Sequence, residues 1–184
     1  MILNNNLQFE LLTAAHADEL FPILTTPAVM AFIDPTGKPP TLAELRTEYS
    51  ARARGSGQRV PTERWFNTIV RLQDPNSTAI GRLEATSYGA WGELAYVFGK
   101  DWWGKGLAFE AMNWWHDHLA TAVTDSQWWA TVHPDNHRSI RLLNRLGYEE
   151  VRAIDRPQIQ SFDEGDRCFV IDLQDRKVGA TNVD

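Results

Sequence analysis

Cysteine is almost missing from this sequence. Cys168 is the only one in 184 residues, so no internal disulfide can form. That usage fits a reducing cytosol. Basic residues are short as well: 18 Lys and Arg stand against 24 Asp and Glu, a formal net charge of −6. General nucleic-acid binding needs a basic surface and is set aside, while an acidic chain favours cationic partners. No stretch approaches the roughly 20 apolar residues of a membrane span. Residues 1–6 carry neither the basic region nor the apolar run of a signal peptide. Internal repeats and low-complexity blocks are also lacking. The expectation is a cytoplasmic protein with no nucleic-acid or membrane partner. Self-association as a homodimer is left open.

What the chain does have is aromatic bulk. Eight Trp and eight Phe supply much of the core that a single domain of this length needs. Residues 1–175 are read as that domain and 176–184 as a flexible tail. Alternation over 7–12 predicts a first strand, and Thr13 is placed to cap a helix over 14–24 that Pro27 ends. Residues 34–40 must be loop. Thr41 followed by Glu44 is a capping box opening a helix over 42–54, ended by Gly55-Ser56-Gly57. Residues 65–72 and 78–86 read as strands around the turn Asp74-Pro75-Asn76-Ser77. A strand over 93–98 follows, then a helix to about Ala122 and a strand over 127–133 stopped by Pro134. Asp135 or Asn136 caps a short helix that Gly147 ends. A hairpin of 148–154 with 167–173 closes the chain. Interleaved strands and helices give an α+β, or mixed α/β, fold: one sheet with helices on both faces.

One stretch stands apart: Trp102-Trp103-Gly104-Lys105-Gly106-Leu107-Ala108-Phe109-Glu110-Ala111-Met112. It follows a β-prone apolar run and reads as a glycine-rich turn opening a helix. Glycines let backbone N–H groups turn toward a ligand, and the helix N-terminus attracts an anion. The spacing is neither the dinucleotide fingerprint nor a Walker P-loop. On its own the turn reads equally as a plain strand-to-helix connection.

With His133-Pro134-Asp135-Asn136 and Ser139-Ile140-Arg141-Leu142-Leu143 through Gly147-Tyr148 downstream, the turn resembles the GNAT superfamily of N-acetyltransferases. The branch it is most similar to is RimJ/RimL-like, which acetylates ribosomal-protein N-termini. The resemblance covers roughly residues 7 to 173. It implies the GNAT fold, a mostly antiparallel sheet splayed between its central strands where acetyl-CoA enters. The family motif is Gln/Arg-x-x-Gly-x-Gly/Ala; here Trp103 stands at the first position, with Gly106 and Ala108 at the others. The implied coenzyme contacts are Phe98, Trp103, Gly104, Lys105, Gly106, Leu107, Ala108, Phe109, Asn136 and Arg141. The implied activity is direct transfer of acetyl from acetyl-CoA to a primary amine, either a protein N-terminus or a small molecule. A non-catalytic acyl-CoA sensor is the alternative.

Acetyl transfer needs a neutral amine, a polarised carbonyl, a stabilised leaving thiolate and alignment. Glu93 is the first choice of base, because several GNAT enzymes carry a catalytic Glu at the matching place; an exposed strand-end glutamate is the plain reading. Glu84, on the neighbouring strand, is second. Where many members have a tyrosine acid this chain has Leu143, and the ribosomal branch uses a serine, here Ser139, read as a hydrogen-bond donor to sulfur. Asn136 is expected to hold the pantetheine amide or to cap its helix. Arg138, Arg141 and Arg145 share one helical face. His116 with His118, and His133 with His137, lack zinc-site geometry, so no metal is expected. Cys168 reads as an inert core thiol. Residues 27–40 and 155–166 would line the acceptor cleft. Their five acids against two bases predict a cationic acceptor, although an ordinary solvated loop has the same composition.

Overall fold

The computed structural model describes residues 2–4, 7–34, 36, 38–55 and 62–174. The expected tail over 176–184, part of the loop at 34–40 and most of the Gly55-Ser56-Gly57 stop lie outside the described residues.

Among the described residues, eight strands form one sheet in the order β1-β2-β3-β4-β5-β6-β8-β7. They are β1 (Ile2–Asn4), β2 (Leu7–Leu11), β3 (Arg64–Leu72), β4 (Ala79–Ser87), β5 (Trp91–Phe98), β6 (Gln127–Val132), β7 (Glu149–Val151) and β8 (Arg167–Asp172). Every neighbouring pair is antiparallel except β5 and β6. The helices are α1 (His16–Leu24), α2 (Pro27–Met30), α3 (Leu42–Arg52), α4 (Leu107–Ala122) and α5 (His137–Leu146).

Strand alternation puts successive side chains on opposite faces, and two cores result. Val70, Ile80 and Leu83 face one way and pack with Met112, Trp115 and Leu119 of α4 and Leu143 of α5. Ile69 and Ala79, one residue away, face the other way and pack with Leu20 of α1 and Leu45 and Tyr49 of α3. The sheet is thus covered on both sides, and its strands have few solvent-facing positions at the centre.

Local signals account for most boundaries. Thr41 and Glu44 make the reciprocal capping box that opens α3. Asn136 Oδ1 accepts the Ser139 N–H at 3.2 Å and caps α5, which stops at Gly147. Four expectations are corrected. Thr13 does not cap α1. The helix begins later, and Nδ1 of His16 accepts the Thr13 N–H at 2.9 Å, making the junction a side-chain turn. Pro27 starts a helix instead of ending one, because a proline at the first helical position loses no bond. The strand expected over 148–154 is only β7, followed by a 3-10 turn over Ala153–Asp155. Finally, β1 was too short for its period to be visible in the sequence.

Candidate active site

From Gly92 to Phe98, β5 pairs with β4, yet it meets β6 only through Trp91, Gly92 and Glu93. A Cβ at Gly92 would stand 2.4 Å from the Trp128 ring, so a glycine is needed for this close approach. Past Glu93 the pairing with β6 stops. The fork opens a cleft of about 940 Å³, walled by β5 on one side and by Ala130, Thr131 and Val132 of β6 on the other. Peptide groups of β5 beyond Glu93 therefore lack a strand partner on the cleft edge.

On the α4–α5 side, the chain leaves β5 through a 3-10 turn over Lys100–Trp102 and enters α4 through the glycine turn. Gly104 and Gly106 have φ of 73° and 80°, in the left-handed region that favours glycine. A Cβ at either would meet nothing within 4 Å, so the turn is an open cradle rather than a packed corner. Trp103 shows why an indole works at its position: its Nε1–H donates to the Phe98 carbonyl at 2.8 Å and ties the turn to the end of β5. The Arg138 guanidinium lies 4.7 Å over the Trp103 ring, and that of Arg145 lies 3.8 Å over Phe109. Arg141 lines the cleft with them. An α-helix N-terminus, two open glycines and three arginines suit a phosphate-rich ligand.

Phe98, Trp103, Gly104, Gly106, Ala108, Phe109, Asn136, Ser139 and Arg141 all line this cleft. Lys105 and Leu107 do not: Lys105 is exposed, and Leu107 packs on the core. Leu143 is fully buried. Tyr96, which the sequence reading passed over, reaches from β5 to α5, where its hydroxyl donates to the Ser139 carbonyl at 3.4 Å. Burial pushes its phenol well above the ordinary range. Its place between Leu94 and Phe98 in the alternation was the available signal.

The α1–α3 side is different. Glu84 and Arg82 pair across the ladder with Ala95 and Val97, and Val97 packs with the α1–α3 core. Arg52, Arg82 and Glu84 line the cleft here. Glu84 Oε1 lies 3.0 Å from Arg52 Nη1 and 3.4 Å from Arg82 Nε. Arg82 is buried, with its guanidinium 5.3 Å from the Tyr49 ring centroid. Phe32, Ile33 and Asp34 after α2, and Asp163, Glu164 and Asp166 before β8, complete the wall. Burial raises the Asp166 carboxyl above its usual value.

Glu93, the first choice of base, is not among the residues lining the cleft. It is 9% exposed, and its carboxylate accepts from Tyr88 Oη at 2.7 Å, Gln160 N at 2.9 Å, and both Ser161 N and Ser161 Oγ at 3.3 Å. Cys168 is buried, and burial raises its thiol. Among the described residues no group of three or more His, Cys, Asp or Glu is placed to hold a metal, and no helix is long and apolar enough to cross a membrane.

A mostly antiparallel sheet, forked at one parallel pair beside a glycine turn and covered by helices on both faces, is the GNAT fold. The chain belongs to the GNAT acetyltransferase family: residues 6–149 match the Acetyltransferase (GNAT) domain. It is 38% identical over 85 residues to the uncharacterized N-acetyltransferase p20 of Bacillus licheniformis, covering 46% of this chain and 48% of that one. The aligned segment thus spans about half the length of that relative. RimL, a ribosomal-protein alpha-N-acetyltransferase solved with coenzyme A, superposes with a TM-score of 0.74 at 12% identity, over 94% of this chain and 97% of that one. A chimera of the spermidine N-acetyltransferase SpeG from Vibrio cholerae with hSSAT gives a TM-score of 0.70 at 18% identity, over 92% and 96%.

Proposed function

We propose that this protein is a RimJ/RimL-like N-acetyltransferase that moves the acetyl group of acetyl-CoA directly to a primary amine. The observation that carries the reading is the fork: an open glycine cradle with its arginines on one side of the sheet, and a charged pocket on the other. The coenzyme would supply an acetyl thioester; as the amine forms its C–N bond the C–S bond breaks, leaving an amide and a thiol.

Each residue then has a task. Gly104, Gly106, Ala108 and the start of α4 hold phosphates through backbone N–H groups, with Arg138, Arg141 and Arg145 around them. The unpaired edge of β5 through Phe98 and the Asn136 side chain receive the pantetheine arm. Ser139 donates a hydrogen bond toward the departing sulfur. Its hydroxyl is a weaker acid than a thiol, so it stabilises charge without surrendering its proton. Glu84, the cleft carboxylate of the strand pair, accepts the amine proton through water, held in orientation by Arg52 and Arg82. The acids of the α2 segment and of the loop before β8 favour a cationic acceptor. The acceptors named for RimL and SpeG, the α-amino group of a ribosomal protein and spermidine, both present amines and span the range to test.

The test is free-thiol release from acetyl-CoA against a panel of polyamines, aminoglycosides and peptides with free N-termini. Turnover that depends on the amine supports transfer. Tight coenzyme binding without turnover on any amine would overturn it in favour of an acyl-CoA sensor.

A further inference from the structure

Glu93 sits at the last residue of the β5–β6 pairing, opposite Trp129, where the sheet forks. By strand alternation its side chain shares the α1–α3 side with Ala95 and Val97. A buried carboxylate at such a point, beside the acceptor half of the cleft, invites the role of base. Its hydrogen bonds argue for another. Four donors converge on its two oxygens: the Tyr88 hydroxyl on Oε1, and the Gln160 N–H, Ser161 N–H and Ser161 hydroxyl on Oε2. Three of the four belong to one turn of the loop that precedes β8. The same turn is held from the other arm of the fork, where Thr131 Oγ1 of β6 donates to the Ser161 carbonyl at 2.9 Å.

We infer that Glu93 is a positioning residue: it pins the Gln160–Ser161 turn into the crotch of the fork and so fixes where the acidic segment stands over the acceptor. A carboxylate suits this task because it is acceptor-only and can take several bonds at once. Charge-assisted bonds to backbone N–H groups are also the stronger kind. Three donors crowd Oε2 and the Tyr88 hydroxyl engages Oε1, so both oxygens are committed to holding structure. Two or three residues after the pinned turn, Asp163 and Glu164 reach the cleft wall, and Asp166 follows. The pin is therefore what converts a surface loop into a wall of the acceptor pocket. It also couples the loop to the fork, because Glu93 and Thr131 stand on the two strands that separate there.

The inference rests on the acceptor reading above, so its test has one arm that needs no acceptor. Amide hydrogen exchange is followed at Gln160 and Ser161 in the full chain. Both amides are expected to exchange about tenfold or more faster in Glu93→Ala, since each loses a charged acceptor, and to stay near wild type in Glu93→Gln, whose Oε1 still accepts. Thr131→Val releases the opposite clamp and gives a smaller rise at Ser161. In the second arm, spermidine is the probe amine and thiol release is read from about pH 6 to 9. Glu93→Ala is expected to raise KM for spermidine about tenfold with kcat within about threefold and an unchanged pH profile, and Glu93→Gln to rescue it. Unchanged exchange at both amides in Glu93→Ala would overturn the inference. So would a Glu93→Gln enzyme that fails at low pH and recovers at high pH, which is the signature of a base. If Glu93→Ala does not fold, the rescue and pH tests on Glu93→Gln and the exchange of Thr131→Val still decide. If the wild type does not acetylate spermidine, that acceptor fails alone and the exchange arm stands.

Discussion

On the α4–α5 side of the cleft, two short stretches of chain supply much of the wall: the turn from Trp103 to Phe109, and one face of α5 with its cap, from Asn136 to Arg145. On the α1–α3 side the wall is assembled from Phe32 after α2, Arg52 at the end of α3, Glu84 on β4 and Asp163 in the loop before β8. The first side offers backbone groups, whose geometry a turn and a helix N-terminus dictate locally. The second offers side chains whose geometry depends on how distant segments pack. On the function proposed above, substitutions on the acceptor side would leave the cradle alone, so one fold could keep its coenzyme site while its acceptor changes.

The largest expected effect tests the cradle. Gly106→Val forces a branched side chain into a backbone with φ of 80° and into the open space of the turn. Titration calorimetry should show acetyl-CoA binding weakened by more than about tenfold, from a strain near 1–2 kcal/mol plus blocked approach. The fold should stay intact, since nothing packs there. Ser139→Ala comes next: it should lower kcat by roughly tenfold while the coenzyme Kd moves by less than about threefold, below the largest losses known for such donors. An equal loss of affinity and rate would make Ser139 a binding residue, and the division between the two sides less sharp.

Across the fork, Glu84→Gln should lower kcat/KM for the amine by about fivefold and leave the coenzyme Kd unchanged. A changed coenzyme Kd would mean the two sides are not separable. The smallest effect is electrostatic. Raising ionic strength from about 0.05 to 0.5 M should lower the second-order rate constant for a cationic amine by about two- to threefold, because the acidic rim is screened. The same preference should weaken on acidification. Burial raises the Asp166 carboxyl, so it takes up its proton at a higher pH than a free aspartate and the rim loses that charge early as pH falls. A flat salt response, or a preference for acidic amines, would leave acceptor choice to pocket shape.

Legibility followed the same division. The α3 capping box, the Asn136 cap, the stop at Gly147 and the cradle were readable because each depends on a few adjacent residues. Trp103 was legible as a departure from the family motif, but not its bond to the Phe98 carbonyl, which requires the 3-10 turn between them. Arg82 and Glu84, two apart on a strand, signalled a shared face, whereas Arg52 arrives from another helix and no spacing announces it. Thr13 looked like a cap until His16 supplied a ring nitrogen to the same junction.

By itself the sequence determined the order of the strands and α-helices from α3 onward, the two-faced sheet and the place of the glycine turn. All of these follow from periodicity and from turn and cap chemistry that act over a few residues. Only the tertiary structure decided which groups meet Glu93. Tyr88 is close in sequence, but the partners Gln160 and Ser161 lie 67 and 68 residues away along the chain, and they meet Glu93 only because β5 and β6 part at that residue and the loop before β8 folds into the gap. A carboxylate's role is set by what donates to it. That set was fixed by packing between segments whose local patterns carry no trace of one another.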